Sequence, residues 1–139
     1  MSSDEGIGKR LGIEFAELAP GRVVAMMPVD ERHHQPFGYL HGGVSVVLAE
    51  SVASVGGYLN CPPGKVAFGS SIDANHIRPK RPGGRLVAVG TPYYVGPEKQ
   101  IWKVEIRDED DKLVCVSRCT TAVLDLNRTS DPTPSPGAS

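Results

Sequence analysis

The chain has 139 residues, 40% of them hydrophobic, which suits one compact domain with a real core and is too little for two. Fifteen Lys and Arg against sixteen Asp and Glu leave a formal net charge of −1, and no run of like charge is long enough to act as a tail for nucleic acid or anionic lipid. Any site for an anionic ligand must therefore be local.

The opening MSSDEGIGKR lacks the basic start and apolar stretch of a secretory signal, so the expectation is a cytoplasmic protein with no partner membrane. Leu11 to Leu18 alternates apolar and polar residues, and after the turn Pro20-Gly21 the segment Arg22 to Val29 is rich in Val and Met. Together they predict an opening β-hairpin. A polar loop, Asp30 to Gly38, leads to Val44 to Leu59, where Val, Leu, Ala, Ser and Gly run without Pro for longer than a normal strand. This is the predicted long helix, and being apolar or small nearly all round it should be buried on most sides.

After the turn Asn60 to Gly64 the pattern is β throughout: Lys65 to Ile77, Arg85 to Val95, Gln100 to Asp108 and Leu113 to Leu124. From Asn127 the chain is rich in Pro and Ser with no apolar anchor, so residues 1–126 are expected as one domain and 127–139 as a disordered tail. Two strands, one long helix and four more strands predict an α+β fold, an antiparallel sheet curled around a single helix. Such a sheet leaves edges that a second copy could cover. Cys61, Cys115 and Cys119 are odd in number and contain no CxxC, so they read as buried reduced thiols. The four His residues form no compact metal motif, and neither a metal nor a cofactor is expected.

One residue in this scheme needs a reason. Glu50 lies in the middle of the apolar helix, and burying an unpaired carboxylate costs several kcal/mol. An exposed stripe, a structural ion pair or a segment that is not helical would each account for it. The neighbours point to chemistry instead. Ser54 is at i+4 on the same face, and His41-Gly42-Gly43 stands where the helix should begin, with free backbone N–H groups and the positive end of the helix dipole. Gln35 adds a neutral amide upstream. A carbonyl polariser, a carboxylate and polar helpers in so short a span are the makings of an acyl-transfer site. Taken singly, His41 could be a helix-start residue and the glycines a packing device.

Gln35-Pro36-Phe37-Gly38, Leu40-His41-Gly42-Gly43, Leu48-Ala49-Glu50-Ser51 and Asn75-His76-Ile77-Arg78 resemble the hotdog-fold acyl-CoA thioesterases of the PaaI-like type. The resemblance covers roughly residues 11 to 125 and is strongest to the branch with 4-hydroxybenzoyl-CoA and 1,4-dihydroxy-2-naphthoyl-CoA thioesterases. It implies a hotdog fold and a homotetramer, a dimer of dimers with active sites across a subunit interface. By position it implies Glu50 as nucleophile or general base, Gly42 N–H as carbonyl polariser, Gln35 and His41 as orienting groups, and Ser54 near the hydrolytic water or the acyl group. It places CoA contacts at Gly69, at His76, Ile77, Arg78 and Pro79, and along the turn Tyr93, Tyr94, Val95, Gly96, Pro97 and Glu98.

The basic cluster Arg78, Lys80 and Arg81 suits CoA phosphates in an otherwise neutral chain, although a solvated turn would look the same. The expected reaction is hydrolysis of an aromatic or medium-chain acyl-CoA to free acid and CoA. A hotdog dehydratase using His41 and a non-catalytic acyl-CoA-binding module are the alternatives.

Overall fold

The computed structural model describes residues 6–126. It is built from helix α1 (Ile7–Leu11), strands β1 (Glu14–Ala19) and β2 (Arg22–Pro28), helix α2 (Gly42–Leu59), and strands β3 (Lys65–His76), β4 (Arg85–Val95), β5 (Lys99–Asp108) and β6 (Leu113–Asp125). All six strands form one antiparallel sheet in the order β1-β2-β4-β5-β6-β3. The expected α+β arrangement is what the chain adopts, and the expected 127–139 tail lies outside the described residues.

The first element differs from the alternating strand read from Leu11 onward. Residues 7–11 make a short helix, ended by Gly12 in the left-handed region at φ 77°. The Ile13 N–H returns to Gly8 O at 2.8 Å, and the strand begins only at Glu14. A left-handed C-cap is what glycine permits, and alternation across it could not reveal the break.

Helix α2 is the spine of the domain. His41 caps its start, its Nδ1 accepting from Gly43 N–H at 2.9 Å. At the other end Asn60 Nδ2 donates to Gly56 O at 2.9 Å and to Pro20 O at 2.7 Å, tying the helix to the β1–β2 turn. By length and composition α2 could cross a membrane, but Ser45, Leu48, Ala49, Val52, Ala53, Val55, Gly56 and Gly57 are buried within the fold, largely against the sheet.

Small residues let the helix approach the sheet closely. A Cβ on Gly56 would lie 2.5 Å from Trp102 Cη2, and one on Gly90 2.5 Å from Val52 Cγ1. Trp102, fully buried, donates from Nε1 to Gln100 Oε1 at 3.0 Å, and Gln100 Nε2 donates to Gly57 O at 3.0 Å. The buried Gln100 amide is thus bonded at both ends, as burial requires. The rest of the core is mostly aliphatic, with Val23, Leu48, Val52, Leu86, Val104 and Ile106 fully buried beside Met27, Cys115 and Cys119.

Strand β3 is an edge strand: among the described residues it pairs with β6 on one side and with nothing on the other. Phe68 to Ser71 are exposed, and a register shift between Gly69 and Ser71 marks a bulge there.

Candidate active site

The structure divides the residues expected at one site into two groups. The first lines a cleft of about 370 Å³ at the N-terminus of α2, where Gln35, Gly42, His76, Ile77, Arg78 and Pro79 meet Leu40, Ser45, Lys80 and Val114.

Each polar group in this cleft is set by its local backbone. Gln35 Oε1 accepts from Phe37 N–H and, at 3.3 Å, from Tyr39 N–H, while the Gln35 N–H donates to Tyr39 O at 2.8 Å. The loop therefore uses the amide oxygen and leaves the Gln35 NH₂ to donate, which is the polarity a carbonyl ligand needs. His41 Nδ1 is the helix cap, so in the neutral ring the proton sits on Nε2 of an exposed imidazole. His41 N–H donates to His33 O at 2.7 Å and Leu40 N–H to Lys80 O at 2.9 Å, which anchors the loop on both sides. Among the described residues no acceptor takes the Gly42 N–H. The His76 ring covers that turn, and a Cβ at Gly42 would lie 2.8 Å from His76 Nε2. Only glycine gives both an open amide and room for this imidazole.

Glu50 is not in the cleft. It lies eight residues from Gly42 along α2, about 12 Å at the helical rise, and is half-buried, with Ser54 half-buried one turn further on. Its carboxylate faces Gly69 on the edge strand, where a Cβ would be 2.5 Å from Glu50 Oε2. The same charge reaches Cys119, whose thiol is pushed up to about 11 by burial and, secondarily, by the Glu50 carboxylate. Nothing in the sequence marked Cys119 as a neighbour of Glu50; it follows from the β3–β6 register.

The turn from Tyr93 to Glu98 belongs with this second group. Gly69 pairs with Thr121, Thr121 with Gln100, and Gln100 with Val95, so one row across the sheet joins the Glu50 end to the end of β4. His76 lies on another row, opposite Cys115 and then Ile106. Seven residues of strand, about 23 Å, separate the two rows along β3. Tyr93 and Tyr94 are exposed, the Tyr93 ring lying 5.3 Å from the Arg118 guanidinium and 5.9 Å from Lys103 Nζ.

The expected phosphate-binding trio is corrected in one member. Lys80 is buried, and its ammonium is bonded to Glu109 Oε1 at 2.9 Å, Gly83 O at 2.7 Å and Arg81 O at 2.9 Å. It is a strut between two turns, with no N–H left for a ligand, and its hydrogen bond holds the Glu109 carboxyl below its usual value. Arg81 stacks over the Tyr39 ring at 5.2 Å. Of the three, Arg78 is the exposed cation that lines the cleft, where it can meet an anion.

A six-stranded antiparallel sheet wrapped on one long helix is the hotdog arrangement. The family model of the thioesterase superfamily matches residues 37–115, and the chain belongs to that family. Among its relatives, the chain is 45% identical over 118 residues to the 1,4-dihydroxy-2-naphthoyl-CoA hydrolase of Listeria monocytogenes, spanning 85% of this chain and 95% of that one. It is 48% identical over 114 residues to the enzyme of the same name from Escherichia coli, covering 82% and 83%. A crystal structure of a thioesterase from Haemophilus influenzae superposes with a TM-score of 0.81 at 47% identity, covering 85% of this chain and 82% of that one.

Proposed function

We propose that the protein hydrolyses the thioester of an acyl-CoA carrying an aromatic or medium-chain acyl group, in a site completed by two copies of the chain. One copy supplies the cleft, where Gly42 N–H and the Gln35 amide meet the thioester oxygen and Arg78 meets a phosphate. The other supplies Glu50, with Ser54 beside it and Gly69 opening the way. Glu50 either attacks the carbonyl carbon, expelling CoA thiolate and leaving a mixed anhydride that water cleaves, or takes a proton from water that attacks directly. A donor such as Gly42 N–H contributes typically about 3 to 4 kcal/mol in the transition state.

The observation that carries this reading is the separation of the two groups, set against the unpaired edge of β3. If β3 pairs antiparallel with β3 of a second copy about a point between Ile72 and Asp73, residue 76 of one copy stands opposite residue 69 of the other. His76 and its cleft are then brought to Gly69 and Glu50 of the partner twice, once on each side of a two-fold axis. The larger assembly that fits this reading is a dimer of such dimers. A CoA substrate and three unpaired thiols suit a cytoplasmic setting.

The test mixes two inactive proteins. Glu50→Gln and Gln35→Ala chains, co-refolded in equal amounts, form mixed dimers in which one of two sites is intact, so thiol release should recover to about one quarter of wild type. No recovery in verified mixed dimers would place each site within one chain. A panel of aromatic and fatty acyl-CoAs read with a thiol reagent identifies the acyl class. Binding without thiol release would make the protein a binding module instead.

A further inference from the structure

Three buried polar side-chain atoms have no hydrogen-bond partner among the described residues: His34 Nε2, Thr121 Oγ1 and Ser45 Oγ. Buried polar groups are nearly always bonded, so each asks for an explanation. Of the three, only Ser45 lines the cleft. It is fully buried and stands three residues beyond Gly42, on the same face of α2.

A helical serine ordinarily returns its hydroxyl to the carbonyl four residues back. Ser51, in the same helix, does so, donating to Val47 O at 2.7 Å. Ser45 makes no such bond to His41 O, which accepts from Val44 N–H at 3.0 Å. Its hydroxyl is therefore buried and unbonded in a residue that lines the same cleft as Gly42, Gln35 and His76.

We propose that Ser45 is a further catalytic residue, its hydroxyl donating alongside Gly42 N–H to the thioester oxygen as negative charge develops there. The inference rests on the reading of the cleft as the thioester site. A donor that bonds the oxygen only as charge develops there, and not in the bound ground state, contributes to kcat rather than to KM. On this reading the helix start provides the first donor and the orphan hydroxyl, one turn further along α2, the second.

This predicts a signature that a structural serine would not give. Ser45→Ala removes an unsatisfied buried hydroxyl and should leave Tm unchanged or raised. It should also lower kcat at least tenfold on the best acyl-CoA of the panel, with KM little altered. Ser45→Cys, similar in size but a weak donor, should lose kcat in parallel. The proposal is overturned if kcat stays within twofold of wild type, if only KM changes, or if Tm falls and so shows that the hydroxyl has a protein partner. Wild-type protein that releases no thiol from any acyl-CoA would overturn the reading of the cleft itself, and this inference with it. Active wild type with active Ser45→Ala overturns this inference alone.

Discussion

Gly69→Ala tests whether the Glu50 carboxylate must stand where the structure places it. Gly69 is in a strand with no positive φ, so alanine suits the backbone and reduces the freedom of the unfolded chain. The added Cβ would lie 2.5 Å from Glu50 Oε2 and 3.2 Å from its Cδ, whereas ordinary contact begins at 3.4 Å. The carboxylate must therefore retreat by about 0.9 Å, which the flexible end of a half-buried glutamate can do at little energetic cost. Stability should stay within about 0.5 kcal/mol of wild type, as for a substitution that strains no core packing. Catalysis should not be spared, because a misplacement of about 1 Å at the reacting group is worth about 100-fold in rate. Thermal melting and single-turnover hydrolysis of one acyl-CoA measure the two quantities side by side. A Gly69→Ala protein that melts like wild type and turns over at more than a third of its rate would refute the placement of Glu50 against β3 as the reacting geometry.

Much of this fold is readable in the residues, and the failures have definite causes. Hydrophobic periodicity located β4 to the residue and β3, β5 and β6 within one residue at each end, because strands bounded by Gly and Pro turns leave little freedom. Helix α2 begins at Gly42, inside the HGG motif and two residues before the expected Val44, because His41 caps it through its ring, a role that spacing suggests but only geometry can assign. The site was less legible. Glu50, Gly42 and Gln35 looked like one constellation because they are near in sequence, yet the helical rise alone puts Glu50 about 12 Å from Gly42. Lys80 read as one of three surface cations, and its burial against Glu109 depends on two turns meeting in space. Ser45 carried a signal, the i+3 spacing from Gly42. What makes it conspicuous is a missing hydrogen bond, which no sequence displays.

Three further predictions follow from named contacts. Glu50→Gln keeps size and polarity but removes the charge. It should abolish turnover, by at least about 100-fold, while circular dichroism and CoA binding by calorimetry stay close to wild type. Gly56→Ala would push a methyl to 2.5 Å from the buried Trp102 ring, and overpacking of this kind should destabilise the fold by about 1 to 3 kcal/mol in urea melts without a specific effect on KM. The Lys80–Glu109 strut gives a pH dependence whose sign can be worked out. The ammonium of Lys80 holds the Glu109 carboxyl below its ordinary value of 4.5, so the folded protein binds that proton less readily than the unfolded chain does. Its contribution to stability is present above about pH 4.5 and is lost as the pH falls below that value. Lys80→Met removes the cause. The gap in Tm between wild type and Lys80→Met should therefore be widest at about pH 6 and narrow toward about pH 3 as Glu109 takes up its proton. A gap that does not change across that range would mean that Lys80 acts through its bonds to Arg81 O and Gly83 O alone, and that the ion pair to Glu109 contributes nothing to holding the cleft rim.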